Sequence, residues 1–222
     1  MRKFVVLCGL LISGAFLCGA AAAIPLVGDL NIDFRTAAWS GADGQGSFGP
    51  IDGVTAIANP AGSKLYQDSK DGLGIKGGEP DEIDNGEILE IDLTGLGAGI
   101  ALTGVWITDL FDSPDGGIGE KGYLELGIVG GGWMNFAFDG NFANQANGEI
   151  FVDFGATYLA HTALFTALNT TGANPNDNEF SVAGFTQANP VPEPATMLLL
   201  GTGLIGLAGF GRKKFSGKNK AN

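Results

Sequence analysis

Seven Asx-Gly pairs punctuate the interior of this chain: Asp43-Gly44, Asp52-Gly53, Asp71-Gly72, Asn85-Gly86, Asp115-Gly116, Asp139-Gly140 and Asn147-Gly148. Such pairs favour the left-handed backbone of tight turns, so a chain cut this often has little room for long helices and much for hairpins. The pieces between them alternate. Residues 30–35, 87–93 and 123–128 place apolar and polar side chains in turn, the period of a strand with one wet face. Residues 53–58, 65–68, 102–109, 133–138, 149–154 and 179–185 are further strand candidates. Residues 157–168 fit a helix, with Leu164 and Leu168 four apart, and equally a strand, given Thr157, Tyr158, Phe165 and Thr166. Glycine fills 38 of 222 positions without a Gly-X-Y period, which excludes collagen. The expected fold is all-β: a single jelly-roll-like β-sandwich of about eight to ten short strands over residues 24–186.

The two ends of the chain read differently. Residues 1–23 begin with Arg2 and Lys3, continue as an apolar run and end in a small-residue stretch closing on Ala23. That order predicts a secretory signal peptide, handled by the Sec translocon and signal peptidase and cut after Ala23. Both cysteines, Cys8 and Cys18, fall inside it. The exported part therefore has no thiol, which rules out disulfides, Cys-ligated metals and cysteine nucleophiles together.

Residues 187–194 form a short linker, and residues 195–210 carry no charge. As a helix that run is about 24 Å long against a hydrocarbon layer of about 30 Å, so residues 195–211 predict a single membrane helix that spans with help from its flanks. The basic stop Arg212, Lys213 and Lys214 opens a tail, residues 212–222, that the positive-inside rule keeps cytoplasmic.

Pro192, Glu193 and Pro194, followed by that apolar segment and that basic end, resemble the PEP-CTERM sorting signal of Gram-negative bacteria. The resemblance implies recognition by an exosortase, a membrane enzyme that cuts near the motif. It also implies transient anchoring by the C-terminal helix, delivery to the cell surface or the medium, and an association with exopolysaccharide and biofilm. The prolines suit such recognition, because each fixes its own φ and pushes its predecessor into an extended conformation.

Removing both ends changes the charge arithmetic. Residues 24–190 hold five basic and 23 acidic side chains, a net −18 against −12 for the whole chain. That field opposes phosphate backbones and anionic lipid surfaces, so nucleic acid is excluded as a partner. The same span keeps all three Trp, all three Tyr and 11 of the 15 Phe, ample material for a core.

Most candidate chemistry fails on inspection. Gly-x-Gly-x-x-Gly occurs three times, at Gly72, Gly117 and Gly201 onward, and the first two lie among strands rather than before a helix. His161 is the only imidazole, which excludes multi-histidine metal sites, and there is no Gly-x-Ser-x-Gly elbow. Ca2+ is the ligand the composition invites. Asp81, Asp84 and Glu87 sit in one acidic segment and Asp109, Asp112 and Asp115 in a second, and hard oxygen donors on glycine-rich loops suit that ion. The expectation is a non-enzymatic structural or binding module that contacts extracellular polysaccharide. The alternative is a secreted carboxylate-dependent hydrolase on a jelly-roll scaffold, which requires a cleft with two facing acids.

Overall fold

Eleven strands form among the described residues, which in this computed structural model are 30–77, 82–112, 119–143, 148–168 and 178–188, together with Thr202. The expected signal peptide, the motif residues Pro192, Glu193 and Pro194, the basic stop Arg212, Lys213 and Lys214, and Asp81 and Asp115 lie outside them. Of the expected membrane helix only Thr202 is described, and its backbone is helical. Among the described residues no helix is long and apolar enough to cross a membrane.

In chain order the strands are β1 (Ile32–Asp33), β2 (Ser47–Ile51), β3 (Val54–Asn59), β4 (Lys64–Asp68), β5 (Gly72–Lys76) and β6 (Ile88–Asp92). They continue as β7 (Ile100–Thr108), β8 (Lys121–Ile128), β9 (Trp133–Asp139), β10 (Ile150–Ala167) and β11 (Ser181–Gln187). All their pairings are antiparallel. The ambiguous stretch at 157–168 is strand, the second half of the 18-residue β10.

β10 organises the molecule. Its first half pairs with β7, and Thr162 to Phe165 pair with β6 on one side and β8 on the other. The register against β7 shifts between Asp153 and Tyr158, around Gly155 at φ 68°, and the register against β8 shifts between Ala160 and Thr162. Such irregularities bend a strand and increase its twist, so one strand can serve two differently directed halves. The all-β expectation stands. In place of two separate sheets, hydrogen bonds run through β2-β3-β6-β10-β7-β11-β5-β4, with β8 and β9 continuing from β10 and β1 from β11, a nearly closed, barrel-like arrangement.

The halves meet in a single apolar core. Phe165 from β10 and Phe185 from β11 approach at a centroid distance of 5.8 Å, Phe185 meets Phe34 edge-on at 6.1 Å, and Phe34 meets Trp39 at 4.9 Å. Val54 and Ala56 from β3, Leu89 and Ile91 from β6, and Leu124 and Leu126 from β8 point into the same core. Their sequence neighbours, Gly127 apart, stay partly exposed, so the period-two pattern is realised as an inner and an outer face.

The Asp52-Gly53 pair closes β2 onto β3, with Ile51 opposite Val54 and φ of 46° and 83° at the two turn residues. A Cβ on Gly53 would stand 2.9 Å from the backbone of Gly95, so the site needs glycine for conformation and for space. Gly53→Ala should cost about 1–3 kcal/mol in urea denaturation. A loss no larger than that of an exposed control such as Phe142→Ala would show that the turn tolerates a side chain.

Candidate functional site

The acidic segments come together as the strands close. Glu82 and Ile83 lie between β5 and the approach to β11, through Ile75 N–H to Glu82 O at 3.1 Å and Ile83 N–H to Phe180 O at 2.8 Å. Asp84 and Glu87 form a turn over Asn85-Gly86. Glu87 N–H donates to Asp84 O at 3.0 Å, and Asp84 N–H donates to the Glu87 carboxylate at 3.0 Å, with both side chains buried. Residues 109–112 run beside the start of β8. Glu120 N–H donates to Phe111 O, Glu120 O accepts from Gly140 N–H, and the Glu120 carboxylate accepts the Phe111 N–H. Asp109 takes a left-handed backbone at φ 54°, and Asp112 is exposed.

Glu82 sits where these segments converge. Burial, then the charges of Glu179, Asp109 and Glu120, and a hydrogen bond with Glu179 push its carboxyl up to about 10. It is therefore a protonated acid at neutral pH, sharing its proton with Glu179. By contrast Asp139 lies at the edge: slight burial pushes it up, but Lys121 at 2.6 Å and the Asn141 N–H outweigh that and hold it below the usual carboxylate range.

Of the six carboxylates expected to ligate Ca2+, Asp84, Glu87, Asp109 and Asp112 are described, and the Glu87 carboxylate is engaged by its own turn. Among the described residues no three acidic or imidazole side chains are placed to hold a metal ion. Sequence spacing did not single out Glu82 or Glu179, which lie 97 positions apart and meet only through strand order. His161 contacts the Thr162 hydroxyl at 2.9 Å, beside the bulge of β10.

A cleft of about 280 Å3 opens elsewhere, beside β1 and the β2–β3 turn. Trp39, Ile51, Val54 and Leu96 give it apolar walls, and Asp33 and Asp52 face it. The Asp33 carboxylate is clamped by Arg35, with Nε to Oδ1 and Nη2 to Oδ2 both at 2.9 Å. Neither the protonated Glu82 nor its partners line this cleft.

The last described residues of the domain lie nearby: Gln187 N–H donates to Asn31 Oδ1 at 2.7 Å, and Ala188 N–H donates to Ala101 O at 2.9 Å. Ala188 stands four positions before Pro192. The family model of the PEP-CTERM protein-sorting motif matches residues 190–213. The chain carries a PEP-CTERM sorting motif. Its presence implies export, an anchoring step at the C-terminal membrane segment and processing by an exosortase. The match covers 24 of 222 residues and leaves the β domain outside it. No curated protein matches the chain.

Proposed function

We propose that this is a non-enzymatic binding module, exported through the Sec translocon of a Gram-negative bacterium, trimmed by signal peptidase and an exosortase, and delivered to the surface or matrix to contact polysaccharide. The observation that carries the processing half is the sorting motif at residues 190–213. The nearly closed β arrangement supplies a broad outer face for contact. Hydrolysis is the weaker reading. A carboxylate-dependent hydrolase needs its raised-pKa acid and a second carboxylate in one cleft. Here the acid with the raised pKa is Glu82, while the cleft holds Asp52 and an arginine-bound Asp33. Ca2+ at the acidic loops belongs to the same proposal and has its own check, since excess EDTA should lower the melting temperature if an ion is held.

The processing half is tested in the host. Replacing Pro192, Glu193 and Pro194 with alanine, or disrupting the exosortase, should nearly abolish the processed species and leave the membrane segment on the protein. Intact-mass spectrometry of the surface and medium fractions reads this directly. An unchanged mature mass in both backgrounds rejects the proposal.

A further inference from the structure

We propose that the outer face of β3, β6, β10, β8 and β9 binds a neutral polysaccharide laid across the strands, with Trp133 as its stacking platform. The proposal rests on the binding-module reading above and assigns it a surface and a ligand class.

The registers build the face. One row crosses all five strands as Thr55, Asp92, Thr162, Gly127 and Trp133. The next row, two residues along each strand, is Ile57, Glu90, Leu164, Glu125 and Asn135. Gly127 apart, every one of these is at least partly exposed, while Ala56, Ile91, Ala163 and Leu126 between them are buried. With strands about 4.8 Å apart, a row spans roughly 19 Å, long enough for several linked sugar rings.

The chemistry of the rows selects the ligand. Carboxylates, threonine hydroxyls and an amide alternate with the aliphatic side chains of Ile57 and Leu164, which suits a ring whose rim carries hydroxyls and whose faces carry C–H groups. Carboxylates accept sugar O–H groups in charge-assisted hydrogen bonds. An anionic polymer would meet the carboxylates of Asp92, Glu90 and Glu125, and the lysine at the border, Lys121, is taken by Asp139 at 2.6 Å.

Trp133 ends the first row and is 53% exposed. Its indole lies against Gly127: a Cβ there would stand 3.3 Å from the ring and 3.0 Å from His161 Cε1. The missing side chain gives the ring a flat seat, and His161 flanks it. A large planar side chain held in this way presents stacking area at low cost in conformational entropy.

The test is affinity electrophoresis of the full-length chain in mild detergent, in native gels containing hydroxyethyl cellulose, laminarin, dextran or mannan, with alginate as the anionic comparison. At least one neutral polymer should retard the protein and alginate should not. Trp133→Ala should weaken that retardation at least tenfold with an unchanged melting temperature, and Asn135→Ala should weaken it less. Phe142→Ala, at an 80% exposed residue outside the face, should leave it intact. Retardation that survives both face variants overturns the assignment of the face while the binding-module reading stands. Equal retardation by alginate overturns the ligand class. No retardation by any neutral polymer overturns the proposal and the polysaccharide part of the reading beneath it. A dimer that Trp133→Ala dissociates would make the face a contact between copies and overturn the glycan assignment.

Discussion

Glu82→Gln should stabilise the protein at pH 7 by on the order of 3 kcal/mol and remove most of its loss of stability with rising pH. The native carboxyl is raised from 4.5 to about 10 by burial and by Glu179, Asp109 and Glu120. Between those values the folded chain holds a proton that the unfolded chain releases. Whatever stability Glu82 contributes is fully present below about 4.5 and is lost as pH climbs toward 10, at up to about 1.4 kcal/mol per pH unit. Glutamine keeps the shape and the hydrogen bond to Glu179 without needing the proton. For a chain of this size the gain corresponds to a rise of roughly 6–12 °C in melting temperature at pH 7, and to almost none at pH 4. Thermal melts from pH 4 to 9 in excess EDTA, so that no cation replaces the proton, measure both effects. Parallel pH profiles for wild type and variant would show that the four carboxylates do not share one buried environment.

The strands were legible wherever one face is wet. Residues 87–93 and 123–128 alternate because β6 and β8 each bury one face and expose the other. β5 escaped because Gly72 to Ile75 are buried on both faces, between β4 and β11, so no period of two appears. β2 escaped for a different reason. Gly49 and Pro50 break its pattern, and its register against β3 shifts between Phe48 and Ile51, an arrangement that an edge strand tolerates. Leu164 and Leu168 suggested a helix, yet Thr162, Leu164 and Thr166 are partly exposed while Ala163, Phe165 and Ala167 are buried, which only a strand explains. The acid-rich segment was visible as composition, but its chemistry was not. Glu82 keeps its proton because it is buried beside the Glu179 carboxyl, and that neighbour follows from the order of β5, β11 and β7 rather than from spacing along the chain.

Phe185→Ala should be the most destabilising single truncation among the variants considered, at about 3–5 kcal/mol. Phe185 has no exposed surface and stands between Phe34 and Phe165, so its ring joins the β1 side of the core to β10. Phe165 belongs to the part of β10 that pairs with β6 and β8, whereas Phe185 pairs beside β7. Removing that ring opens a cavity where the two halves meet, and neither half can collapse into it without dragging the shared strand β10. Small domains are stable by only about 5–15 kcal/mol, so the loss consumes a large part of the total. Phe142, 80% exposed, offers an internal control, and Phe142→Ala should stay within about 0.5 kcal/mol of wild type. Urea denaturation of the full-length chain should show a lower midpoint at an unchanged slope for Phe185→Ala. A shallower slope with two separated transitions would instead mean that the halves unfold independently, and that the unbroken hydrogen bonding through β10 does not make them one cooperative unit.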